Sequence, residues 1–154
     1  MTQKAFHGIY RSPLGRLEVA GENGRISRIA LVESRRGSAG NIPARVRSSL
    51  DAYFSGGPRQ PKSFFALHGT PFQKKVWETL GTIPWGSRIS YAQLARRVRK
   101  PRAIRAVANA VASNPVAILV PCHRVVGWDG RLTGYAYGLK KKSWLLRHEE
   151  RRRG

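Results

Sequence analysis

Nine prolines and sixteen glycines cut this 154-residue chain into short segments, and their positions bound every helix and strand it can form. Proline stops a helix interior or a central strand, and glycine supplies the positive φ that tight turns need. In the first third, Pro13-Leu14-Gly15 and residues 21–24 punctuate three runs rich in β-branched and aromatic residues, 6–11, 16–20 and 25–32. This predicts a small antiparallel sheet. Residues 33–41, rich in Gly, Ser and Arg, read as a mobile loop. Pro43 at the first helical position opens a helix through Phe54, with Val46, Leu50 and Phe54 on one face. Gly56-Gly57-Pro58 ends it, and residues 58–62 read as a linker. An N-terminal α/β domain over 1–62 then precedes a second domain over 63–154, whose first element begins near Leu67.

The second domain is mostly helical, giving an α+β chain. Thr70 and Pro71 supply an N-cap and first position for a helix that aligns Phe72, Val76 and Leu80. Ile83-Pro84-Trp85-Gly86 leaves the helix, and Ser90 with Gln93 forms a capping box for a short helix to about Val98. Lys100-Pro101 breaks it. A next helix over 101–112 carries a core stripe of Ile104, Val107, Ala108 and Val111, and a second face of Arg102, Arg105 and Asn109 with Ala106 between. That helix lacks a good capping residue. Two short helices across a basic turn make a helix-turn-helix pattern whose small residues allow close approach to a groove; the same residues also fit a plain helical hairpin with a solvated basic side. Residues 116–120 read as a buried strand, and 139–148 as a last helix with Leu139, Ser143 and Leu146 inward and a frayed end beyond.

Charge narrows the function. There are 29 Lys and Arg against 8 Asp and Glu, a net +21, which repels itself unless a polyanion relieves it. Nucleic acid is the usual one. Residues 88–105 hold seven cations and no acid, while Lys140, Lys141, Lys142 and residues 151–153 read as general phosphate attraction. A single cysteine excludes an intrachain disulfide framework and a Cys-rich zinc module. Neither a membrane-spanning apolar run nor the apolar core of a secretion signal is expected.

That cysteine, Cys122, follows an apolar run in Pro121-Cys122-His123-Arg124. A lone Cys is commonly an inert core residue. Here Pro121 interrupts regular pairing, His123 titrates near neutrality, and Arg124 adds positive potential favouring a thiolate. On a strand, Cys122 and His123 would point to opposite faces, so their cooperation needs a turn or a bridging water. His123 also needs a carboxylate; the second half of the chain offers Glu78, Asp129, Glu149 and Glu150, of which Glu149 lies where the last helix could bring it back to the strand.

Together these segments resemble the methylated-DNA–protein-cysteine methyltransferases, the O6-alkylguanine-DNA alkyltransferase family. The resemblance runs in order over about residues 70–150: Thr70-Pro71-Phe72-Gln73, Ile83-Pro84-Trp85-Gly86, Ser90-Tyr91, Arg105-Ala106-Val107, Asn114-Pro115-Val116, Pro121-Cys122-His123-Arg124-Val125, Gly134-Tyr135 and Leu145-Leu146 with His148-Glu149. It implies a DNA-binding and catalytic domain over 63–154 that binds duplex DNA from the minor groove and flips the modified guanine. The alkyl group would pass irreversibly to Cys122, once per molecule, with no cofactor and no metal. The same resemblance implies His123 as base through water, Glu149 orienting it, and Asn114 bracing the turn. It implies Arg105 entering the stack, with Arg102, Ala106 and Asn109 on the DNA-facing side and Tyr91 at the target's 3′ phosphate. Pro121, Val125, Tyr135, Ala136 and Tyr91 would line the pocket. A monomer in the cytoplasm, or the nucleus of a eukaryote, is the matching expectation. Two departures concern the pocket: Ala136 lacks a hydroxyl that family members often carry there, and Tyr137 adds bulk where they have Gly. The rival readings are a lesion sensor that flips bases without transfer, and a basic helix-turn-helix regulator with a structural Cys.

Overall fold

The chain is described by a computed structural model over residues 4–33, 40–56 and 64–151. Its α+β architecture matches the expected class. The described residues group into two compact units. One holds the residues up to His68 together with Pro115–Leu119, and the other holds Gly69–Asn114 and the residues from Val120 onward. The expected break at 62/63, the linker 58–62 and most of the loop 33–41 lie outside the described residues. Residues 64–68 belong with the first unit, so the second starts a little later than Leu67.

In the first unit, β1 (Ala5–Ser12), β2 (Gly15–Glu22) and β3 (Arg25–Val32) form an antiparallel sheet in chain order. Asn23 and Gly24 both take positive φ, 54° and 75°, which matches the two-residue hairpin turn between β2 and β3. Alternation along β2 buries Leu17 and Val19 completely. Helix α1 (Ala44–Phe54) starts one residue later than expected, with Pro43 as its N-cap instead of its first residue, and buries Val46, Ser49, Leu50 and Tyr53. Tyr53 takes the core place predicted for Phe54, because the inward stripe drifts round an α-helix with its 3.6-residue period.

Residues 116–120 are not the predicted strand. Val116 forms an isolated bridge with Ile29, outside any strand, and Ala117 N–H donates to the Ile29 carbonyl at 3.0 Å. Ile118 then turns the chain with φ 75°, a strained conformation for a β-branched residue. Apolar composition reported burial correctly here and conformation incorrectly: Val116, Ala117 and Ile118 are all buried.

In the second unit, α2 (Pro71–Leu80) and α3 (Tyr91–Arg97) each start with a complete capping box, Thr70 with Gln73 and Ser90 with Gln93. Each cap contributes roughly 1 kcal/mol. Helix α4 (Ile104–Ala112) starts three residues later than expected. Its N-cap is Ala103, which makes no side-chain capping bond. Its buried residues are Val107, Ala110 and Val111, whereas Ile104, predicted in the core, is 42% exposed. The Trp77 indole on α2 donates to the Ala110 carbonyl at 2.8 Å, which fixes the inward face of α4 around Ala110 instead of Ile104. Helix α5 (Leu139–Arg151) runs three residues past His148 and buries Lys142, Leu145, Leu146, His148 and Glu149. Leu139, predicted inward, is 46% exposed. Two short strands, β4 (Ile89–Ser90) and β5 (Val125–Val126), pair in parallel. Among the described residues no helix is long and apolar enough to cross a membrane.

Candidate active site

Strand β5 follows Cys122 by three residues, and β4 immediately precedes Tyr91. Their pairing, Ile89 with Val125 and Ser90 with Val126, seats the cysteine turn beside the N-terminus of α3. Cys122 opens a 3-10 turn, Cys122–Arg124, so the alternation that would separate it from His123 on a strand does not apply. Pro121, at φ −83° and ψ 65°, forms the tight turn just before, and Cys122 N–H donates to the Val120 carbonyl at 2.8 Å. Asn114 braces the same carbonyl from its side-chain amide at 2.7 Å. Pro121, Cys122, His123 and Val125 are all buried.

Behind the cysteine lies a buried ionic cluster. His123 Nε2 is 2.6 Å from Glu149 Oε2, and both side chains are fully buried. The Arg124 guanidinium donates to both oxygens of Glu149, from Nε at 2.6 Å and from Nη2 at 3.1 Å. Its Nη1 donates to the Ile83 carbonyl at 2.7 Å, and the group lies over the Trp85 ring. Burial alone would raise the Glu149 pKa, but the hydrogen bonds of His123 and Arg124 and the Arg124 charge outweigh it and hold the carboxyl down to about 2. Burial pushes the His123 pKa below its usual value despite Glu149, so the imidazole is neutral and the Arg124 fork carries the balance for the carboxylate. Arg124 therefore spends its charge on Glu149, not on Cys122 as the sequence suggested. His123 Nδ1 is buried and makes no hydrogen bond among the described residues.

Around the thiol stand residues from four other segments. Burial pushes the Cys122 thiol up, against the Asn114 side chain, the Lys142 charge and the cysteine's own amide. Tyr91 is bonded by the Thr133 side chain, and burial and Cys122 raise its pKa. Tyr135 is also raised, by burial and then by Cys122, and its buried hydroxyl has no hydrogen-bond partner among the described residues. The structure thus brings together Cys122, His123, Glu149, Asn114, Tyr91 and Tyr135. Ala136 is exposed on the same loop, and the Tyr137 ring stands edge-on to Tyr135 at 5.6 Å.

Arg105, Ala106 and Asn109 lie exposed on α4, which Trp77 and the 3.3 Å bond from Gln73 to Ser113 hold against α2. Arg102 is exposed in the turn before α4, so it precedes the Arg105–Asn109 face instead of continuing it. Lys142 is the residue that sequence reasoning missed. Its side chain is fully buried and donates from Nζ to the carbonyls of Thr133 and Gly134, at 2.8 and 3.1 Å. A signal was present: Lys142, Leu145, Leu146 and Glu149 fall at i, i+3, i+4 and i+7 on one face of α5.

Comparison with known proteins points one way. Residues 71–151 match the family model for the DNA-binding domain of 6-O-methylguanine DNA methyltransferase. A methylated-DNA–protein-cysteine methyltransferase of Methanosarcina barkeri is 39% identical over 155 residues, covering 94% of this chain and 97% of that protein. The namesake protein of Shigella flexneri is 50% identical over 108 residues, and there the match spans 70% of this chain and 63% of the relative's length. The Mycobacterium tuberculosis OGT solved in complex with DNA superposes with a TM-score of 0.82 at 37% identity, covering 95% of this chain and 93% of that one.

Proposed function

The chain belongs to the methylated-DNA–protein-cysteine methyltransferase family, and from that premise we propose that it repairs duplex DNA by moving the alkyl group of an O6-alkylguanine irreversibly onto Cys122. The observation that carries this reading is the arrangement behind the thiol. His123 follows Cys122 in a tight turn, Glu149 engages its Nε2 at 2.6 Å, and its Nδ1 is left without a partner. A neutral imidazole oriented by a carboxylate, with one nitrogen unoccupied, is what a base acting through one water requires. The Cys122 proton passes through that water to Nδ1. The thiolate attacks the alkyl carbon, the new S–C bond forms as the C–O6 bond breaks, and the electron pair stays with guanine. The proton taken by His123 returns to the leaving base. The thioether product is stable, so each molecule acts once.

The second unit supplies DNA binding. Arg105, Ala106 and Asn109 present small and cationic groups on the exposed side of α4, with Arg102 beside them, and the M. tuberculosis relative has been solved with DNA. On this reading the protein binds from the minor-groove side as a monomer inside the cell, and Arg105 fills the space of the flipped base. Tyr91 contacts the target strand, Asn114 braces the turn, and Pro121, Val125, Tyr135 and Ala136 line the pocket. Mass spectrometry after incubation with O6-methylguanine duplex tests the proposal. Expected is the gain of one CH2 unit on the peptide holding Cys122. Retained binding with an unmodified peptide would instead make the protein a lesion sensor.

A further inference from the structure

We propose that Lys142 is a positioning residue for the transfer reaction: its buried ammonium is the counter-charge of the Cys122 thiolate and clips the loop that presents Tyr135. The inference rests on the reading of Cys122 as nucleophile. Three buried side chains of the second unit carry permanent charge potential around the cysteine turn, namely Arg124, Glu149 and Lys142. Arg124 and Glu149 neutralise each other through two hydrogen bonds. Lys142 has no such partner: it forms no ion pair among the described residues, and its two bonds run to neutral carbonyl oxygens, Thr133 and Gly134. A buried ammonium without an anion is costly, so a group that can become anionic beside it is favoured to do so.

Cys122 is that group. Helix α5, which carries Lys142, packs against the Cys122–Arg124 turn, and the groups that act on the thiol or feel its charge are Asn114 after α4, Tyr91 from α3, Tyr135 from the loop and Lys142 from α5, with His123 next in the chain. Asn114 carries no charge, the two phenols stay protonated, and His123 is held neutral. Lys142 is the one cation acting on the thiol from these positions. The coupling runs both ways. Burial lowers the Lys142 pKa to about 8, and a Cys122 thiolate raises it. With thiol and ammonium together the buried cluster carries net +1; with thiolate it is neutral. The same ammonium holds the carbonyls of residues 133 and 134, immediately before Tyr135 in the chain. Gly134, at φ 49°, gives that loop the left-handed turn it needs.

The test reads the thiolate directly in the free protein, without DNA. The rate of Cys122 alkylation by iodoacetamide is followed against pH in the wild type, Lys142→Met and Lys142→Arg. Lys142→Met is expected to raise the midpoint by about one pH unit, about tenfold slower reaction at pH 7, with the same plateau at high pH. Lys142→Arg keeps the charge and is expected to keep the midpoint. A Lys142→Met profile that drops at every pH with an unmoved midpoint would reduce Lys142 to a structural clip and overturn the proposal. Should Lys142→Met fail to fold, NMR titration of the Lys142 ammonium decides: its midpoint falls in Cys122→Ser if the two charges are coupled, and an unmoved midpoint overturns the idea. A wild type that reacts with iodoacetamide but takes no methyl group from DNA would refute the repair reading instead.

Discussion

Replacing Glu149 by Gln removes one negative charge from a fully buried site and leaves the Arg124 guanidinium, 5% exposed, without a counter-ion. Two routes to the cost agree. Holding the carboxyl at about 2, against a usual value near 4.5, corresponds to about 3 kcal/mol at neutral pH. Breaking a buried ion pair by removing one partner costs roughly 3–5 kcal/mol. A destabilisation of about 3 kcal/mol lowers the Tm of a chain this size by about 6–12 °C. The sign with pH follows from the lowered carboxyl pKa. The contribution is complete above about pH 4.5, where the unfolded carboxyl is also ionised, and is lost as pH falls towards 2. Thermal and urea unfolding of both proteins between pH 7 and pH 2.5 measures this. The gap is expected to be full at pH 7 and to close on acidification below 4.5. A gap under about 1 kcal/mol at pH 7, or one that does not change with pH, would refute the assignment of Glu149 as the anion of the cluster.

Other consequences are narrower. Arg105→Ala is expected to slow repair of duplex DNA by tenfold or more while leaving reaction with free O6-benzylguanine nearly intact; equal losses in the two assays would remove Arg105 from the DNA step. Tyr137→Gly takes away the ring standing edge-on to Tyr135 and should raise the benzyl-to-methyl rate ratio, so an unchanged ratio places Tyr137 off the substrate path. Ser90→Ala breaks the capping box of α3 and is expected to cost about 1 kcal/mol in urea unfolding; a neutral result would mean the cap adds nothing beyond packing.

Reading and structure part company along a clear line. Caps, turns and helix starts are set by residues within four positions of each other, so Thr70 with Gln73 and Ser90 with Gln93 are legible from the chain alone. The same holds for the Asn23-Gly24 turn, and the ordered motifs were enough to select Cys122, His123 and Glu149. What local pattern could not supply is which face of a helix meets a partner. Ile104 and Leu139 look like core residues and are exposed, because the Trp77 bond to Ala110 and the burial of Lys142 and Glu149 set the rotations of α4 and α5. The two-residue strands β4 and β5 are too short to leave a pattern, yet their parallel pairing places Tyr91 beside the cysteine turn.

The charges show the division most plainly. Counting them from the sequence yields +21 and an appetite for a polyanion, and one cysteine able to act as a reagent. Their individual uses depend on burial and on partners distant in the chain. Arg124 turns to Glu149, twenty-five positions away, and not to its neighbour Cys122. Lys142, one of three consecutive lysines, is withdrawn from solvent to the loop carbonyls of Thr133 and Gly134. An ion's effect depends on its surrounding dielectric and on the distance to its counter-charge, and both are properties of the folded chain.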